Sequence, residues 1–273
     1  YIAPTVSYKV NERFSVGASL NLIAQSFEAK GLYAFDNPVF SSAPGKVTNN
    51  NHDNSYGASV RLGLMYEIND RVTLGATYQT KGWMTEFDDY AGLFADGGEF
   101  DIPQNYGIGI AIKATNRLDI AMDIMRIDYS TVNAIGNSPN NPTKRFGDDD
   151  GPGFGWEDQT IFKIGAVYQY NNQLTLRARY NYGENPVPTE GLGFALNTLA
   201  PGVSEHHLTL GFTWDIDENS SITGSYLHAF SSEVDGDFIV PTDPTDPTAT
   251  ANLGSGSLEM SQNAFGISYN KRF

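Results

Sequence analysis

Four cations, Arg61, Lys163, Arg177 and Arg179, and four histidines, His52, His206, His207 and His228, are the residues of this 273-residue chain best suited to chemistry. An arginine grips a carboxylate with a two-pronged fork and a lysine holds it as a point charge, so the cations suit capture of an anionic group. Histidine catalysis needs a hydroxyl within reach, and His228 lies close in sequence to Ser231 and Ser232. An imidazole at an interface suits His206 and His228 better than acid-base work, and no enzyme is expected. Cysteine is absent, which removes thiolate, disulfide and zinc-thiolate chemistry. The run Gly147-Asp148-Asp149-Asp150-Gly151 lacks the alternating ligand spacing and closing Glu of a calcium loop, so it reads as a solvated acidic loop. Neither metal nor cofactor is expected.

The segments carrying the cations alternate apolar and polar residues. Tyr56, Ala58, Val60, Leu62, Leu64, Tyr66 and Ile68 share one face, and Ser55, Gly57, Ser59, Arg61, Gly63, Met65 and Glu67 share the other. That is the period of a β-strand. It recurs through residues 72–78, 106–112, 118–124, 162–170, 174–182 and 208–216. With 5–10, 14–32, 221–231 and 259–273 it gives eleven strands. Mid-strand charges, among them Lys163, Arg177, Asp119, Asp123 and Asp215, stay on the polar face. Five tight turns, at Asn11, Asn69, Thr115, Asn171 and Asp217, alternate with long acidic loops. Within the last loop, Thr242-Asp243-Pro244-Thr245-Asp246-Pro247-Thr248 is low in complexity, which predicts a mobile segment.

Tight turns at one end, long loops at the other and a closing aromatic strand up to Phe273 predict a transmembrane, antiparallel, up-and-down β-barrel. No stretch reaches the ~18 apolar residues of a spanning helix. A soluble sandwich would also alternate. It has no reason to repeat Tyr8, Tyr66, Tyr168, Tyr170 and Trp214 on the apolar face just before the tight turns, where an interface girdle belongs. Strand parity adds that an odd number of further strands, upstream of Tyr1, is needed for antiparallel closure, so 1–273 reads as a partial barrel. The net charge of −15 gathers in the long loops and excludes nucleic acid as a partner.

The chain resembles the outer-membrane fatty-acid and hydrocarbon transporter family, typified by the long-chain fatty acid channel and the toluene-uptake porins. The resemblance is carried by Pro4-Thr5-Val6-Ser7-Tyr8-Lys9-Val10, by Leu74-Gly75-Ala76-Thr77-Tyr78-Gln79-Thr80-Lys81 and by Ile102-Pro103-Gln104. Most specific is Leu176-Arg177-Ala178-Arg179-Tyr180-Asn181-Tyr182 leading to Asn185-Pro186-Val187-Pro188. It implies a monomeric barrel of fourteen strands, eleven of them here, with a plugging hatch and early strands upstream. It also implies diffusive uptake of fatty acids or other hydrophobic compounds. A general or structural porin passing polar solutes is the alternative.

On that reading the substrate-binding candidates fall into three groups. Phe35 and Phe40, with Phe87, Leu93 and Phe94, lie in two loops rich in apolar residues and are expected to be exposed for first capture, as family loops are, or else to form small loop cores. Phe27, Met65, Met125, Ile161 and Leu227 face the lumen, either lining a path for an apolar ligand or packing among themselves. Arg61, Lys163 and Arg177 are candidate carboxylate anchors, unless they pair with Glu67, Asp119, Asp123 or Asp215. Expected partners are a hydrophobic ligand, outer-membrane lipid and lipopolysaccharide, the latter bridged by divalent ions to the acidic loops. The barrel-assembly machinery is expected to read the last strand.

Overall fold

The computed structural model describes residues 1–141, 143–243 and 246–272, leaving Pro142, Phe273 and part of the low-complexity stretch, Pro244 and Thr245, outside the described residues. Eleven strands form one antiparallel meander: β1 Thr5–Lys9, β2 Phe14–Phe27, β3 Asp53–Asn69, β4 Val72–Gln79, β6 Gln104–Lys113, β7 Leu118–Asp128, β8 Gln159–Gln169, β9 Leu174–Gly183, β10 His206–Asp217, β11 Ser220–Asp243 and β12 Asp246–Lys271. A two-residue strand, β5 Trp83–Met84, pairs with β3 beyond the end of β4. β1 and β12 are the two edges of this barrel-type sheet.

The five tight turns share one device. Asn11 Oδ1 accepts from the Arg13 and Phe14 amides, both at 2.9 Å. Asn69 does the same for Arg71 and Val72, and Asn171 for Gln173 and Leu174. Thr115 Oγ1 takes the Arg117 amide, and Asp217 Oδ1 the Asn219 amide. A short side-chain acceptor replaces the ladder bond that the turning backbone loses, which explains the residue types at these positions.

Burial is inverted relative to a soluble protein. Asn21, Ser59 and Gln79 on the inner face are 4%, 1% and 3% exposed, whereas Ile108 and Ile267 on the outer face are 66% and 84% exposed. Each outward apolar side chain left in water would forfeit the roughly 1.5–3 kcal/mol of its transfer. Only a lipid surround makes such a face stable. The girdle residues Tyr8, Tyr66, Tyr168, Tyr170 and Trp214 are all exposed on it.

Two expectations are corrected. The second strand ends at Phe27, not Leu32, because the chain there turns into the loop core and Leu32 is buried. The final connection is largely a β-ribbon, as far as Asp243 and again from Asp246, instead of a loop. β11 and β12 run 24 and 26 residues, against roughly 9–11 needed to cross the hydrocarbon, so about half of each extends beyond it. Register shifts after Ala229 and Asp237 mark bulges along the ribbon. The short helix α3, Leu192–Asn197, braces it: Phe194 meets the Phe238 ring at 5.1 Å, and a Cβ on Gly236 would collide with Phe194.

Candidate functional site

At the long-loop end, Phe27 carries β2 into an aromatic cluster. Its ring lies 4.9 Å from Tyr90, 4.8 Å from Phe94 and 5.8 Å from Phe87. Phe87, Leu93 and Phe94 are buried, not exposed as expected, because the two aromatic loops fold on one another to make a joint core with Leu32 and Val47. Tyr90 closes it: its hydroxyl accepts from the Ala29 amide at 3.1 Å and donates to the Asn51 carbonyl at 2.7 Å. Phe35 stacks edge-on against Phe40 and Phe146 at its margin.

This core is incomplete. A cavity of about 260 Å³ opens between Phe27, Leu93, Phe94, Phe100, Phe146 and Phe154, with Leu196 and Leu199 from the α3 region on its far side. Its one charged rim is Glu28 and Lys30, paired at 2.8 Å. The hydrogen bond from Lys30 holds the half-buried Glu28 carboxyl below its usual range. An apolar cavity of roughly 150 Å³ is enough for benzene, so a single aromatic ring or a length of acyl chain fits here.

Lower down, the inner wall holds a second cavity, of about 370 Å³. Register explains it. Met65, Gly75, Gly109, Asp123 and Lys163 lie side by side on consecutive strands, and Thr77, Gly107 and Met125 form the neighbouring row. The glycines leave a hollow, and a Cβ at Gly109 would strike the Asp123 carboxylate. Met65 and Met125 line the hollow, with Ile161 paired beside Met125. The Lys163 ammonium sits 3.4 Å from Met125 Sδ.

A third recess, about 500 Å³, lies between β6 and β11 and presents Asp119, Val167, Arg177, Arg179, Thr213 and Thr223. Arg177 donates to Thr213 Oγ1 at 2.8 Å and Arg179 to Asn181 Oδ1 at 2.9 Å. Arg61 donates to Gln79 Oε1 at 2.9 Å. Among the described residues none of these arginines, nor Lys163, forms an ion pair, contrary to the pairing weighed from sequence. Their hydrogen-bond partners are neutral oxygens and sulfur, and Asp123 is the cross-strand neighbour of Lys163. Arg61 and Leu227 lie on the inner face but line none of the three cavities.

Sequence reasoning missed Phe100, Phe146, Phe154 and Leu196, which complete the loop cavity from segments far apart in the chain. Isolated aromatics in polar stretches were the available signal. The histidines are engaged elsewhere: His228 Nδ1 contacts Asn263 Oδ1 at 2.9 Å, and His206 Nδ1 contacts the Tyr180 hydroxyl at 2.6 Å. Ser231 bonds Glu259 and not His228. The acidic run at 147–151 folds as a turn in which Asp148 pairs with Arg145 at 3.1 Å.

The sequence profile of the family described as outer membrane protein transport protein (OMPP1/FadL/TodX) matches residues 1–273. No curated protein sequence matches. Among solved structures, the Pseudomonas putida toluene transporter TodX superposes with a TM-score of 0.60 at 20% identity, over 98% of this chain and 68% of that one. The Ralstonia pickettii toluene transporter TbuX gives 0.57 at 18% identity, covering 99% and 66%. A Pseudomonas aeruginosa FadL homologue gives 0.60 at 17%, covering 98% and 66%. The chain thus spans about two thirds of each of these proteins, and identities this low carry the fold alone.

Proposed function

Because this chain belongs to the outer membrane protein transport protein family (OMPP1/FadL/TodX), we propose that it forms a channel through which hydrophobic compounds, long-chain fatty acids or aromatic hydrocarbons, diffuse passively across the outer membrane. The carrying observation is the aromatic cavity over Phe27, which offers an apolar ligand a largely apolar site at the outer end of the wall. The solved relatives with this fold include toluene transporters, and the cavity accommodates a ring of that size.

In this reading Phe35, Phe40, Phe87, Leu93 and Phe94 shape the capture site and Phe27 leads from it to the inner face. Met65, Met125 and Ile161 give the ligand an apolar hold on a wall that is otherwise polar. Lys163 and Arg177 take the headgroup when there is one, since the hydrogen-bond partners of both are neutral atoms, Met125 Sδ and Thr213 Oγ1. Arg61 and Leu227 contribute to the remainder of the lining. The channel works as a monomer, with no cofactor and no catalytic step. Lipid surrounds its apolar face, lipopolysaccharide borders its acidic loops, and the alternating last strand is offered to the assembly machinery.

The test is uptake into liposomes carrying the complete protein. Dodecanoate and toluene enter faster than in protein-free liposomes, and small sugars do not. Sugar entry without entry of either hydrophobic solute would replace this reading with that of a polar porin.

A further inference from the structure

Residues 98–102 turn one side to the loop cavity and the other to a cation. The backbone is extended at Glu99, so successive side chains alternate. The Phe100 ring faces the cavity and packs 4.7 Å from Phe94. Its neighbours Glu99 and Asp101 both reach Lys81, with contacts of 3.5 and 2.6 Å. Gln25 Nε2 donates to the Phe100 carbonyl at 2.8 Å, and Gly82 and Ile102 exchange a pair of backbone hydrogen bonds. Phe100 is therefore held by contacts that its own side chain does not make. Beneath it, Gly82 lies so close to Ile102 and to the buried Ile23 of β2 that a Cβ there would crowd both, so the segment lies between the cavity and the wall below.

The two carboxylates are not equivalent. Asp101 is 3% exposed, makes the shorter contact and also accepts from the Met84 amide at 2.7 Å, which fixes it. Glu99 is 35% exposed and makes the longer contact. A half-exposed ion pair is weak and exchangeable, whereas a buried one with a second hydrogen bond is not.

We propose that Lys81, Glu99 and Asp101 form a latch that holds Phe100 across the way from the loop cavity to the inner wall, and that a ligand carboxylate opens it by replacing Glu99 at Lys81. The exchange conserves charge at Lys81 and releases Glu99 to water. A neutral hydrocarbon has no group to make the exchange and waits for spontaneous opening. Lys81 thus binds the headgroup itself and selects by it. This inference rests on ligand entry through the loop cavity.

The test uses the complete protein in lipid nanodiscs with dodecanoate and dodecanol, which share a chain and differ in headgroup. Calorimetry reports binding, and amide hydrogen exchange of residues 98–102 reports the latch. Both ligands bind; dodecanoate accelerates exchange about tenfold, as expected for loss of one charge-assisted contact, and dodecanol does not. Glu99→Gln exchanges fast without ligand, and Lys81→Arg keeps the dodecanoate response. Binding of both with equal acceleration or none, or a Glu99→Gln variant as slow as the unaltered protein, overturns the latch. If neither ligand binds, entry through the cavity falls and the latch with it.

Discussion

Replacing Tyr90 with Phe separates the loop cap from the barrel wall energetically. The ring stays, with its 4.9 Å contact to Phe27, and only the hydroxyl is lost. That hydroxyl satisfies the Ala29 amide and the Asn51 carbonyl on opposite sides of a fully buried residue. Each buried group left without a partner costs about 1–3 kcal/mol, and water admitted at the loop margin recovers part of it. A net loss of about 2 kcal/mol raises the cap's opening equilibrium roughly 30-fold. Amide exchange of residues 28–52 should quicken by that factor, while exchange in β6 to β9 and the thermal unfolding of the barrel stay as they were. Exchange that quickens equally across the sheet would show cap and wall to be one cooperative unit, and no change at all would show that the hydroxyl holds nothing. Either result refutes the independence of the cap.

Ile108→Arg, on the outer face, should destabilise the folded barrel by about 2–4 kcal/mol in urea unfolding from lipid vesicles, whereas Ala111→Arg on the inner face of the same strand should cost far less; equal costs would remove the inside-out assignment. Asn171→Ala removes two turn hydrogen bonds and should lower stability by about 1–2 kcal/mol, with Asn172→Ala as a near-neutral control in the same titration. Lys163→Met should weaken dodecanoate binding about tenfold and leave toluene binding unchanged, read by calorimetry, because only the anion uses the charge. Gly236→Leu should push Phe194 from its seat against Phe238 and raise proteolysis of residues 190–203 without altering the spanning strands.

The wall was legible because its rules are local. Alternation at residues 55–68 placed Met65 and Arg61 on the inner face, and a single side-chain acceptor at Asn11, Asn69, Thr115, Asn171 or Asp217 announced each tight turn. The cap was not legible in the same way. Phe27 meets Phe94 across 67 positions of chain, and nothing in either neighbourhood announces the other. The outer ribbon was obscured by its Asp, Pro and Thr, which read as loop in isolation. Pairing of β11 with β12 is already secured at Tyr226 and Phe265, and extending that register outward costs less than starting a strand anew. The ion pairs expected for Lys163 and Arg177 failed for a different reason. Alternation gives the face of a side chain but not what its charged end reaches: Asp123 is the register partner of Lys163, yet the ammonium lies against Met125 Sδ, and Arg177 reaches diagonally to Thr213.

On the proposed function, stability and selectivity occupy different parts of this molecule. The meander satisfies its backbone strand by strand, and its lipid-facing side chains leave little freedom in how the wall is built. The wall alone cannot choose a solute, since every strand presents the same alternation. In the proposed channel, choice falls to contacts that break the repeat: the glycine hollow between Met65 and Met125, the cations Lys163 and Arg177, and the cap in which segments from residues 27 to 199 converge on one cavity. These contacts are few and lie beside solvent, which places them at the low end of local stability, where opening and closing can occur without unfolding the barrel. A channel that must admit apolar solutes yet stay closed to water needs that separation between a rigid wall and a loosely held lid.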